Sequence, residues 1–334
     1  MLKPFLTTGI GSLPHRNAQE AVMLILNTFD IPFWPQLPGL SFKELMIPQY
    51  SEGLPFLKMD TQKETIWIER NNSDELKRFY EGWAEEGRIA ISEDYAQGMY
   101  TFLKAVKTGR FKYLKGHVTG PLTFTLGLKD HTGKPVYFDE EFREISLMLL
   151  KAKTRWQIDQ LKQYADEAII FIDEPILSAL GSSSYLGVSE TETARLLKEL
   201  IDVIKNEGGI SGIHCCGNAD WPMAIKCGPD IINFDAYDYA GTLALYPEEF
   251  RGFLEKGGYL AWGIVPTSEA IAGENPESIR KRFEQGVEKL SLHIPKDLIL
   301  SNIMLTPSCG TGTRTVEETI KVFQLLMRLK EEYA

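Results

Sequence analysis

The chain has 334 residues, of which 43% are hydrophobic and 25% charged, and a formal net charge of −10. That acidic balance excludes the basic face a nucleic-acid partner requires, and no apolar run approaches the roughly 20 residues of a membrane helix. Four cysteines in a chain this long do not make a disulfide framework, so they are expected to be buried apolar residues or metal ligands of a cytoplasmic protein.

Taken in chain order, short apolar runs alternate with longer amphipathic stretches. Strands are predicted over residues 5–10, 31–34, 113–118, 168–172, 210–214, 231–234, 259–262 and 298–305. Helices are predicted over 139–165, 189–207, 276–290 and 316–333. The last of these repeats Val316, Ile320, Val322, Phe323, Leu326 and Leu329 near the 3.6-residue period. Alternation of this kind means parallel strands joined by helical crossovers. Eight candidate strands make one (β/α)8 TIM barrel, spanning 1–334 as a single domain, the expected architecture. The stretch from about 38 to 110, with Pro48, Pro55 and many charges, fits the alternation least and reads as an insertion after the second strand, over one end of the barrel.

The unusual residues stand where the apolar runs end. Ile10-Gly11-Ser12 closes the first run, Asp173-Glu174-Pro175 the fourth, His214-Cys215-Cys216 the fifth and Asp235 the sixth, with Cys309 shortly after the eighth. Barrel enzymes carry their chemistry at the C-terminal ends of the strands, so these residues are expected to converge on one mouth. In an extended segment residues i and i+2 point the same way, so His214 and Cys216 can aim at one point while Cys215 faces elsewhere. His and Cys are common zinc ligands. Ligands drawn from distant strands favour a catalytic site over a structural one, which closes with local pairs. Cys227, before Gly228-Pro229, reads as an ordinary buried cysteine.

The segments TTGIGSLPH, DEP, HCCGN and PSCG, in that order, together with Asp235 placed 19 residues beyond Cys216, resemble the catalytic barrel of cobalamin-independent methionine synthase. The same motifs place the chain near uroporphyrinogen decarboxylase and the corrinoid-linked thiol methyltransferases. The resemblance implies one Zn²⁺ held by His214, Cys216 and Cys309, with Asp235 standing where the synthase has a glutamate ligand. It implies that Ile10, Gly11 and Ser12 contact bound homocysteine and that Asp173 holds the substrate's amino group. Glu174 is a further candidate for the ammonium, and Glu52, in QYSEGLP, a weaker candidate for the substrate pocket. The family's proton-donor histidine has no counterpart in Gly263-Ile264-Val265-Pro266-Thr267.

The implied activity is a zinc-dependent methyl transfer to a thiol, homocysteine first and coenzyme M as an alternative acceptor. Synthases of the family are typically about twice as long, and the folate-handling half has no counterpart here. Methylcobalamin, or a methylated corrinoid on a partner protein, is therefore the expected methyl donor. Two other readings stand beside it. One is a uroporphyrinogen-decarboxylase-like enzyme, although Pro35, Gln36 and Leu37 occupy the place of that enzyme's arginine-containing stretch. The other is a non-catalytic, zinc-bearing partner of a corrinoid protein.

Overall fold

The computed structural model describes residues 2–71, 73–180, 185 and 187–333. Seven strands form one curled, all-parallel sheet: β1 (Leu6–Thr7), β2 (Phe111–Thr119), β3 (Ala165–Asp173), β4 (Ile210–Cys215), β5 (Ile231–Asp235), β6 (Tyr259–Val265) and β7 (Ile303–Pro307). From β2 to β7 each strand lies beside its successor, with helical crossovers between them, as right-handed βα repetition dictates. The first strand then pairs with the last, Leu6 opposite Met304 and Thr7 opposite Leu305.

The segment expected as the second strand builds no ladder. It holds Pro32 and is followed at once by Pro35, in Ile31-Pro32-Phe33-Trp34-Pro35-Gln36, and a proline has no N–H to give a neighbour. It still bonds to both edges of the sheet. The Ile31 and Gln36 N–H groups donate to Thr7 and Gly11 carbonyls, while Trp34 and Lys115 exchange bonds across the other side, Trp34 N–H to Lys115 O and Lys115 N–H to Pro32 O. The sheet therefore has seven laddered strands rather than the eight expected. A second difference lies near the end of the chain, where 298–305 was expected to be extended throughout. Lys296–Ser301 is helical, and the strand begins only at Ile303. Short apolar runs do not distinguish the two states by periodicity.

The crossover helices are well signalled. Asp139 caps Glu140–Lys162 by accepting from Phe142 N–H, and Ser189 caps Glu190–Asn206 through Glu192 N–H. Asn275 and Ser278 form a reciprocal capping box around Pro276–Ser291, with Pro276 at the first helical position. The 38–110 stretch holds helices Met46–Ser51, Glu75–Glu86 and Gln97–Val106. It also holds an antiparallel pair, Leu57–Asp60 with Thr65–Ile68, which Lys129–Asp130 extends in parallel. Among the described residues, no helix is long and apolar enough to cross a membrane.

Two apolar clusters result. The larger lies between sheet and helices; the smaller fills the inside of the curl with Leu2, Ile31, Tyr113, Ile169, Phe171, Ile231, Tyr259, Ala261 and Met304. Side chains alternate along a strand, so the inward face continues from these residues toward the C-terminal strand ends. It passes through Lys115, His117, Asp173, His214, Asn233, Asp235 and Thr306. The interior is apolar at one end and polar at the other.

Candidate metal centre

His214 and Cys216 leave β4 with the i, i+2 spacing that aims both inward, and Cys309 follows β7 in the Ser308–Thr311 loop. One donor atom from each, the His nitrogen and two sulfurs, all lie within 4.8 Å of one another, and Nε2 of His214 is 3.7 Å from Cys309 Sγ. Donor atoms sharing one tetrahedral zinc lie roughly 3.3–3.8 Å apart, as zinc bond lengths of about 2.0–2.3 Å require. The set therefore fits such an ion in chemistry, and the His214–Cys309 pair lies at that spacing. The loop carrying Cys309 is tied down by Thr311 N–H donating to Ser12 O at 2.8 Å. Gly310 permits the close approach, since a Cβ there would sit 2.1 Å from Ser12 Oγ. Ser12 and Cys309, distant in sequence, are thus neighbours at one rim.

The electrostatics are those of a coupled donor set. Hydrogen bonds from Cys309 and His214 pull the Cys216 thiol down to about 4. The Cys309 thiol is held well above its ordinary range, first by the hydrogen bond to Cys216 and then by burial. Burial lowers the His214 imidazole, but the bond to Cys216 and the charge of Asp173 outweigh it, so the net shift is upward. One shared hydrogen bond shifts the two thiols in opposite directions, and a cation that bound both sulfurs would displace their protons. Cys215 and Cys227, in contrast, are buried in the outer apolar cluster and pushed up by that burial to about 12 and about 11.

The other predicted residues are placed as follows. Asp235 ends β5 outside the three-residue donor group. Its Oδ1 accepts from Asp238 N–H at 3.0 Å, and burial, with Cys216 among the smaller contributors, raises it to about 6. Asp173 is buried at the end of β3 with Oδ1 unpartnered. Desolvation raises it to about 6 against the opposing pull of His214 and Lys115. Glu174 turns the other way: its carboxylate accepts from the Leu122 and Thr123 N–H groups at 2.9 and 3.1 Å, capping the helix Pro121–Gly127. Glu52 is occupied as well, accepting from Ser92 N–H at 2.8 Å and pairing with the buried Lys153 at 3.7 Å. Ile10, Gly11 and Ser12 continue from β1 along the inner rim.

Two residues were missed by the sequence reading. Lys115 is fully buried inside the curl, where Nζ donates to Ile10 O at 2.5 Å and lies 4.4 Å from the Phe171 ring centre. Burial lowers it to about 7, with Asp173 as the opposing charge. His117, two residues on, stacks on Trp34 at 3.9 Å, and both its ring nitrogens are buried without a partner. Burial, then the charge of Lys115, hold it well below its ordinary value. The only signal for either was strand parity with the inward Tyr113.

No protein-family model matches the sequence, and no curated protein matches it. Among solved structures, a B12-independent methionine synthase from Shewanella sp. W3-18-1, in complex with selenomethionine, is similar over 99% of this chain and 98% of its own. Its TM-score is 0.58 at 14% identity. The ochratoxinase of A. niger is similar over 73% and 67%, with a TM-score of 0.31 at 15% identity. The first likeness is one of fold.

Proposed function

We propose that the chain is a zinc-dependent thiol methyltransferase with homocysteine as acceptor, a methylated corrinoid as donor and methionine as product. The observation that carries this reading is the set of one nitrogen and two sulfur donors brought within 4.8 Å from strands far apart in sequence. The full-length likeness of fold to a B12-independent methionine synthase, itself solved with selenomethionine, supports the thiol acceptor and the product; the corrinoid donor is a separate part of the proposal. In this reading, residues 31–36 are the irregular eighth stave of a single (β/α)8 barrel, and 38–110 is an insertion over one end.

His214, Cys216 and Cys309 would hold the ion, with Asp235 beside them as a fourth or displaceable donor. Zinc bound there would supply the Lewis acidity that turns a substrate thiol into a thiolate at neutral pH. The chain's own groups would do the rest. Asp173, buried with a free oxygen, would accept the substrate ammonium. The main chain at Gly11 and Ser12 would face its carboxylate, with Lys115 anchoring the Ile10 carbonyl next to it. In the transfer, the new sulfur–carbon bond forms as the donor's cobalt–carbon bond breaks. That electron pair stays on cobalt, and the thiol proton goes to solvent.

The test is zinc content together with methylcobalamin consumption, with and without homocysteine, in the native chain and Cys216→Ala. Stoichiometric zinc and demethylation that requires both homocysteine and Cys216 are expected. A native protein that takes up no zinc would overturn the proposal. Turnover with methylfolate but not methylcobalamin would overturn the corrinoid part alone.

A further inference from the structure

Asn233 lies on the inward face of β5, opposite His214 in the strand register and two residues before Asp235. It is completely buried, and its side-chain amide has one orientation. Nδ2 lies 2.8 Å from the Ala261 carbonyl oxygen and 2.8 Å from Thr306 Oγ1. A carbonyl can only accept, so the amide atom facing Ala261 is the nitrogen. Oδ1 is then the atom 2.5 Å from Nδ1 of His214. A carboxamide oxygen also can only accept, so Nδ1 carries the proton. In a neutral imidazole that leaves the lone pair on Nε2, the nitrogen 3.7 Å from Cys309 Sγ.

We propose that Asn233 is the positioning residue of the metal centre. Through its fixed amide it selects the Nδ1–H tautomer of His214 and turns Nε2 toward the two cysteines. The hydrogen bonds reach back to β6 and β7, so three neighbouring strands hold one ring in place. Carboxylates often orient metal-bound imidazoles from this position. An amide does so without adding charge, and leaves the centre with only the charges of its ligands. The tautomer stands on geometry alone; its consequence for metal binding rests on the zinc reading above.

The experiment has two arms. In the first, ¹⁵N–¹H long-range spectra of the metal-free protein with labelled histidine report the tautomer, with His214 assigned through a His214→Gln variant. At a pH where the ring is neutral, a proton on Nδ1 is expected; a neutral ring protonated on Nε2 alone overturns the proposal. In the second, zinc affinity is measured by chelator competition for the native chain, Asn233→Leu and Asn233→Asp. The leucine variant is expected to bind zinc about 10–100-fold more weakly. The aspartate variant, which keeps an acceptor facing Nδ1 but sets an oxygen against the Ala261 carbonyl, is expected to recover part of the loss. Unchanged affinity in a folded leucine variant overturns the proposal. Should that variant fail to fold, Thr306→Val, which removes one of the two amide anchors, takes its place with a smaller expected loss, and native affinity there tells against the mechanism. A native chain that binds no zinc refutes the functional reading, while the spectra still decide the tautomer.

Discussion

Lys115 brings an ammonium into the apolar interior, where its partners are one carbonyl, an aromatic face and the opposing charge of Asp173. An isolated buried charge costs several kcal/mol, so an ion here is retained only with a counter-ion or a task. In the proposed reading its task is to keep Asp173 anionic. Lys115→Met removes that support and is expected to favour the protonated form of Asp173. Binding of an amino thiol such as homocysteine is expected to weaken at least tenfold, about 1.4 kcal/mol. Binding of 3-mercaptopropionate, which lacks the amine, should be unchanged. Calorimetry with both thiols checks this, and equal losses would refute it. At this scale the metal donors were legible because the i, i+2 rule and the chemistry of His and Cys are local. Lys115 and Asn233 were not, because a lysine or an asparagine in an apolar run looks like a solvent-facing residue until the sheet closes around it.

The helix Pro121–Gly127 begins against the Glu174 carboxylate, which takes up backbone N–H groups left free by the first turn. Burial raises Glu174 from 4.5 to about 8, while the donors at Thr123 and Leu122 pull the other way. Between about 4.5 and about 8, the unfolded chain has released this proton and the folded chain still holds it. The unfolded state binds fewer protons there, so stability falls as pH rises through that window. Glu174→Gln keeps an acceptor for the helix but cannot titrate. Its urea-unfolding free energy is therefore expected to fall less steeply with pH over the same window than that of the native chain. Identical slopes would count against the assignment. Most strands were legible from their apolar runs; the departures have local causes. Two prolines prevent a ladder in residues 31–36, and Phe5, with a φ of 60°, bounds β1 on its N-terminal side, so the strand starts at Leu6. Glu174 was read as a ligand for substrate because its partner helix lies some 50 residues upstream, beyond the reach of any local pattern.

Across the whole molecule, the donor set joins two parts of the chain 95 residues apart. An ion bound to the folded state alone stabilises it by about 4 kcal/mol when free metal exceeds the dissociation constant a thousandfold. In the proposed reading, removing zinc with a chelator is expected to lower the thermal midpoint by roughly 5–10 °C, reversibly. Cys309→Ser should show little response to the same treatment; a native midpoint indifferent to chelator would refute this. The topology was only partly legible, because β1 pairs with a strand from the far part of the chain, Leu6 opposite Met304. That pairing also has a consequence in time. Leu6 meets Met304 and Ser12 meets Thr311, so the first strand must wait for the last. At about 5–20 residues per second on the ribosome, that wait is roughly 15–60 s. During it, β1 is an open edge that other chains can reach, a natural client for a chaperone. Cys309 is made 95 residues after His214, so a nascent chain lacks the third donor of the proposed site until β7 has been made.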